Sequence, residues 1–101
     1  MTSPTKKTLR SIAHHLQPVV TVADNGLSDG VQAELDRALT DHELIKVRLS
    51  SGDREDRNHT CQAICDLTQA EIVQKIGKVV VLYRHNPQAE ARLSNVRRFD
   101  A

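Results

Sequence analysis

The stretch PVVTVADNGLSDGV, residues 18–31, limits the fold more than any other part of the chain. Val19, Val20 and Val22 read as a short strand, apolar on both faces as in a covered sheet. Ala23, Asp24, Asn25 and Gly26 form a tight polar loop, in which Asn25-Gly26 supplies the two residue types most tolerant of positive φ. Ser28 or Asp29 then caps a helix whose buried side is Leu27, Val31, Leu35, Ala38 and Leu39, reaching about Asp41. A strand that empties through such a loop into a helix aims backbone N–H groups and the positive end of the helix dipole at one place, which suits a phosphate.

The other segments build a frame around that loop. Ser3 and Pro4 mark a helix start, and Leu9, Ile12, Ala13 and Leu16 follow at helical spacing. Lys6, Lys7, Arg10 and His14 occupy the opposite arc, and no acidic residue occurs from Met1 to Ala23. Pro18 closes that helix. A second strand runs from Leu44 to Ser50, where alternation with Ile45, Val47 and Leu49 puts Lys46 and Arg48 on one sheet face. Asp53 and Asp56 read as a capping pair for a third helix to about Thr68, with Cys61, Ile64, Cys65 and Thr68 inward. Arg54, Arg57 and Asn58 project from its first turns, the two arginines divided between pairing with nearby carboxylates and meeting RNA. Ile72 to Ile76, a turn at Gly77-Lys78, and Val79 to Arg84 make a hairpin whose second strand, VVVLY, is central. Beyond Asn86-Pro87 periodicity is lost, and residues 87–101, with Arg92, Arg97 and Arg98, are expected to be a flexible, frayed C-terminal tail. The order predicts an α/β fold: one α-β-α-β-α-β-β domain over residues 1–86, with a four-stranded mixed sheet, parallel early and antiparallel late.

Composition narrows the chemistry. Tyr83 and Phe99 are the only aromatics, too few for a base-stacking platform. No apolar run is long enough to span a bilayer and no leader pattern opens the chain, so a soluble cytoplasmic protein without a membrane partner is expected. Cys61 and Cys65, four apart on one helix, suit a reduced setting, as two small buried residues and not metal ligands. Serine-triad, paired-carboxylate, HExxH, GxGxxG and Walker patterns do not occur. No catalytic residue, cofactor, metal or small-molecule substrate is expected. The cations fall instead in clusters: Lys6, Lys7 and Arg10; Lys46 and Arg48; Lys75, Lys78 and Arg84. With a phosphate-cradling loop they suggest a surface that follows a structured RNA backbone by shape. About six neutralised phosphates would make affinity fall by about a thousandfold between roughly 50 and 200 mM salt.

The segments AHHLQPVV, NGLSDGV, DHELIKV and VQKIGKVVVLYR resemble the bacterial YhbY family, the stand-alone form of the CRM (chloroplast RNA splicing and ribosome maturation) domain. The resemblance covers about Lys6 to Arg84. It implies a domain similar to the C-terminal domain of translation initiation factor 3, and a monomer that binds 23S rRNA precursor within the pre-50S particle as a non-catalytic assembly factor. The alternative is an adaptor that binds another assembly factor or a ribosomal protein through the acidic helix face of Asp29, Glu34 and Asp36. The family's GxxG RNA-contacting loop falls on Ala23, Asp24, Asn25 and Gly26, with two departures. Ala23 replaces the first glycine, which would resist positive φ by ~1 kcal/mol. Asp24 either adds ~1 kcal/mol of repulsion beside a phosphate or accepts the Gly26 N–H as an Asx turn, and the second is preferred.

Overall fold

The computed structural model describes residues 4–97. Helices and strands follow in the order α1 (Lys6–Ala13), β1 (Pro18–Val22), α2 (Asp29–His42), β2 (Leu44–Leu49), α3 (Arg54–Thr68), β3 (Glu71–Ile76) and β4 (Val79–Tyr83). The sheet has the order β1-β2-β4-β3. β1 is parallel to β2, and β4 is antiparallel to both β2 and β3. The predicted element order, the mixed sheet and the central place of β4 are all found.

Each helix begins where a short polar side chain can hold a free N–H group. Thr5 accepts from Thr8 N at 3.1 Å and Ser28 from Val31 N at 3.2 Å. Asp53 and Asp56 form a reciprocal capping box. The first cap is therefore Thr5. Ser3, named from the sequence, lies outside the described residues. Pro18 does not close α1 either: the helix ends at Ala13 and Pro18 opens β1. Its missing N–H is tolerated there because β1 is an edge strand.

Strand alternation divides the apolar residues into two layers. Val20, Val22, Ile45, Val47, Val80 and Leu82 face α2 and α3, meeting Leu35, Leu39 and Ile64. Leu44, Val73, Val81 and Tyr83 face α1 through Leu9 and Ala13. Full burial of a Leu, Ile or Val side chain contributes ~2 kcal/mol. α1 is too short to cover its face, and Val19 and Ile76 stay 51% and 62% exposed. This corrects the expectation of a strand buried on both faces at residues 19–22: only Val20 and Val22 point inward, because β1 lies at the uncovered margin.

The C-terminal segment also differs from expectation. Up to Arg97 it packs against the α2–β2 junction and is not frayed. Asn95 N donates to His42 O at 2.9 Å and its side-chain amide donates to Leu44 O at 2.7 Å. Ser94, fully buried, and Arg97 both donate to Glu43 Oε1, at 2.8 and 3.0 Å. Asn86 N donates to Glu43 Oε2 at 2.8 Å. Glu43 is itself buried and holds φ at +62°, at the C-cap of α2. Residues 98–101, including Arg98, lie outside the described residues.

Candidate nucleic-acid interface

Three connections converge where β1 and β2 end. Ser50 N donates to Val22 O at 2.9 Å, joining the end of β2 to the end of β1. Leu49 N donates to Lys78 O at 2.7 Å, joining it to the hairpin turn on the other side. The loop of Ala23 to Gly26, the link from β2 to α3 and the Gly77-Lys78 turn thus form one rim.

The Ala23 to Gly26 loop is closed by backbone. Gly26 N donates to Ala23 O at 2.8 Å and Gly26 takes φ +63°. The Asx turn expected from Asp24 is therefore absent: the Ala23 carbonyl already holds the Gly26 N–H, and among the described residues no hydrogen bond fixes the Asp24 carboxylate. Ala23 does not need a left-handed φ, so its replacement of glycine leaves the turn unstrained.

Cations flank this rim on both faces of the sheet. Lys46 and Arg48 face the α1 side, opposite Val81 and Val79. His14, from the end of α1, shares a groove of about 310 Å³ with Lys46, Ile76 and Val79. Arg10 and Lys6 stand one and two turns back along the same helical face, and Lys7 is likewise exposed. On the opposite face Arg54, Arg57 and Lys75 line a cleft of about 390 Å³ between α3 and the hairpin. Lys78 sits in the turn between the two faces.

Two of the carboxylates nearest these charges, Asp53 and Asp56, are engaged in capping α3. Asp53 Oδ1 accepts from Asp56 N at 2.9 Å, and Asp56 Oδ2 from Asp53 N at 3.1 Å. The Asp56 N–H in particular holds the Asp53 carboxyl below its usual range. Among the described residues, ion pairs reach Arg84, His85, Arg92 and Arg97 but none of the cations at the rim.

Arg84 does not join this group. It follows Tyr83, which aligns with Leu44 and Glu71 at the other end of the sheet. Its guanidinium donates to Asp36 Oδ1 at 2.8 Å, Thr40 Oγ1 at 2.8 Å, Asp36 O at 3.0 Å and Thr68 O at 3.0 Å. It is a strut between α2 and the end of α3. That pairing also offsets the charge of Asp36 on the acidic face of α2.

The sequence matches the CRS1 / YhbY (CRM) domain over residues 1–84. The chain belongs to this family. A probable RNA-binding protein of Pseudomonas aeruginosa is 50% identical over 99 residues, which span 98% of this chain and 95% of the relative. An RNA-binding protein of Haemophilus influenzae is 47% identical over 88 residues, covering 87% and 89% of the two chains. Among solved structures, a Staphylococcus aureus protein described as a candidate RNA binder superposes with a TM-score of 0.73 at 29% identity, over 84% of this chain and 88% of that one.

Within this CRM domain, the loop and most of the cations singled out in the sequence lie around one rim, with Arg84 at the far end of the sheet. Reading the sequence missed the cleft, because Lys75 reaches Arg57 and Asn58 only through the pairing of β3 with β4 and the packing of α3. It also missed the Glu43 node. The available signals were an acidic residue inside DHELIKV, immediately before an apolar strand, and the polar string SNVR some 51 residues later.

Proposed function

We propose that this protein binds structured RNA at the rim where β1 and β2 end, and acts as a non-catalytic assembly factor on precursors of the large ribosomal subunit. The observation that carries the reading is the convergence of a short backbone-closed loop with cations on both faces of the sheet that have no ion-pair partner among the described residues. Cations that keep their charge free attract phosphates, and cations set on rigid elements select their spacing. The relatives named as RNA-binding support the RNA partner. The large-subunit precursor is supported by the resemblance of the near-signature segments to the YhbY family.

Sedimentation of extracts from growing cells tests the proposal. The protein is expected to travel with pre-50S particles at low salt and to leave them as salt rises, because each phosphate contact releases a counterion. Free migration at every salt concentration would overturn the assignment. The adaptor reading through the acidic α2 face loses force, since Asp36 is engaged by Arg84.

A further inference from the structure

We propose that the cleft between α3 and the β3–β4 hairpin is a pocket for one unpaired nucleotide whose base carries carbonyl oxygens. This inference rests on the RNA-binding reading and goes beyond it, because backbone recognition alone needs no pocket. The cleft measures about 390 Å³, within the size range of small-ligand sites. Its floor is apolar: Leu49, Cys61 and Val80 are 4%, 2% and 1% exposed. Burial pushes the Cys61 thiol up, so at neutral pH it is an uncharged part of that floor. A flat base can cover such a floor, whereas a phosphate gains nothing from it.

The walls offer donors. Lys75 Nζ donates to Asn58 Oδ1 at 3.1 Å. Lysine has no acceptor, so the amide oxygen must face it, and the amide NH₂ is left to donate elsewhere. Arg57 is tethered by one bond, from Nη1 to Gly52 O at 3.1 Å, and its other N–H groups have no hydrogen-bond partner among the described residues. Arg54 stands one helical turn away on the same wall. An apolar floor with the Asn58 amide NH₂ and cationic donors on its walls fits a base with carbonyl acceptors, such as uracil, with its phosphate held by the arginines. Adenine, which presents no carbonyl, fits less well. At the α3 N-terminus the Asp53–Asp56 box engages the N–H groups of Asp53 and Asp56, and its carboxylates disfavour a phosphate there.

The test compares three RNA hairpins, identical except for no bulge, a single bulged uridine or a single bulged adenosine, bound to the full chain and read by fluorescence anisotropy at one salt concentration. The bulged-uridine hairpin is expected to bind about tenfold tighter than the paired stem, the worth of one or two well-placed hydrogen bonds. Asn58→Leu, at an exposed helix position, should abolish that gain while the paired stem binds as before. A 4-thiouridine at the bulge should crosslink to the peptides carrying Asn58, Cys61 or Lys75. Equal affinity for all three hairpins, or a crosslink elsewhere, would overturn the pocket and leave phosphate recognition standing. No binding to any hairpin at low salt would overturn the RNA reading itself.

Discussion

Arginine stands at both ends of this sheet and does opposite work there. At the rim formed by the loop of Ala23 to Gly26 and the hairpin turn, Arg48 and Arg54 meet no carboxylate among the described residues. At the far end, Arg84 spans α2 and α3, and Arg97 closes on the buried Glu43 at 3.0 Å. The difference lies in the acceptors and not in the cations. Where the fold brings helix C-terminal carbonyls and buried carboxylates close, an arginine becomes a brace. Where the nearby carboxylates cap a helix, it is left without an ion-pair partner among the described residues.

Mutation should therefore separate the two ends cleanly, stability changing at one and affinity at the other. The largest effect is expected at Glu43. Glu43→Ala strands Ser94, Arg97 and the Asn86 N–H together, and should cost about 3 kcal/mol of stability in urea denaturation. Burial pushes the Glu43 carboxyl up, but the Asn86 N–H, the Ser94 hydroxyl and Arg97 outweigh it, so its pKa lies below the ordinary 4.5. The unfolded chain then takes up this proton first as pH falls. The Glu43 contribution is complete above the ordinary carboxylate range and is lost as pH drops through the lowered folded value. Glu43→Gln should be less stable at neutral pH and should lack that part of the acid dependence, while RNA affinity of the folded protein stays the same.

Next in size is the open sheet face. Lys46→Glu combined with Arg48→Glu should weaken RNA binding by about a hundredfold and lower the salt slope by about two. Their unfolding midpoint should move little, since neither side chain is part of either core. A large loss of stability instead would mean that the two ends are not separable.

How far the sequence revealed this division depends on the range of the interactions. The caps of α2 and α3, the hairpin and the parallel-then-antiparallel sheet were legible, because Ser28, Asp53, Gly77 and the alternation around Lys46 act within a few residues. The fate of each cation was not. Arg84 and Arg48 both end or interrupt an apolar strand, and nothing local distinguishes them. Arg84 meets Asp36 across 48 positions. Residues 88–97 read as a tail for the same reason: their partners, His42, Glu43 and Leu44, are about 50 positions away, and a polar segment that packs through hydrogen bonds shows no apolar periodicity.

Arg84→Met provides a smaller test of the same contrast. It keeps the packing of the aliphatic stem but removes four hydrogen bonds, two of them to backbone carbonyls. Partial exposure of the guanidinium lets water replace some of them, so the expected loss is about 1–2 kcal/mol. RNA affinity should remain within twofold. A loss of affinity as large as that at Lys46 and Arg48 would extend the interface to the far end of the sheet.

The smallest effect concerns the loop itself. Because Gly26 and not Ala23 holds the left-handed φ, Ala23→Gly relieves no strain and only frees the unfolded chain, at a cost of about 0.4–1 kcal/mol. Gly26→Ala would meet no clash, since nothing stands within 4 Å of its added Cβ, but must adopt φ near +63°. Its cost is conformational, about 1 kcal/mol. Binding of a paired RNA hairpin by Ala23→Gly, measured against the wild type at low salt, should change less than twofold. A tightening beyond that would mean that the Ala23 methyl keeps a phosphate from the loop backbone, and would move the main contact from the flanking cations to the loop.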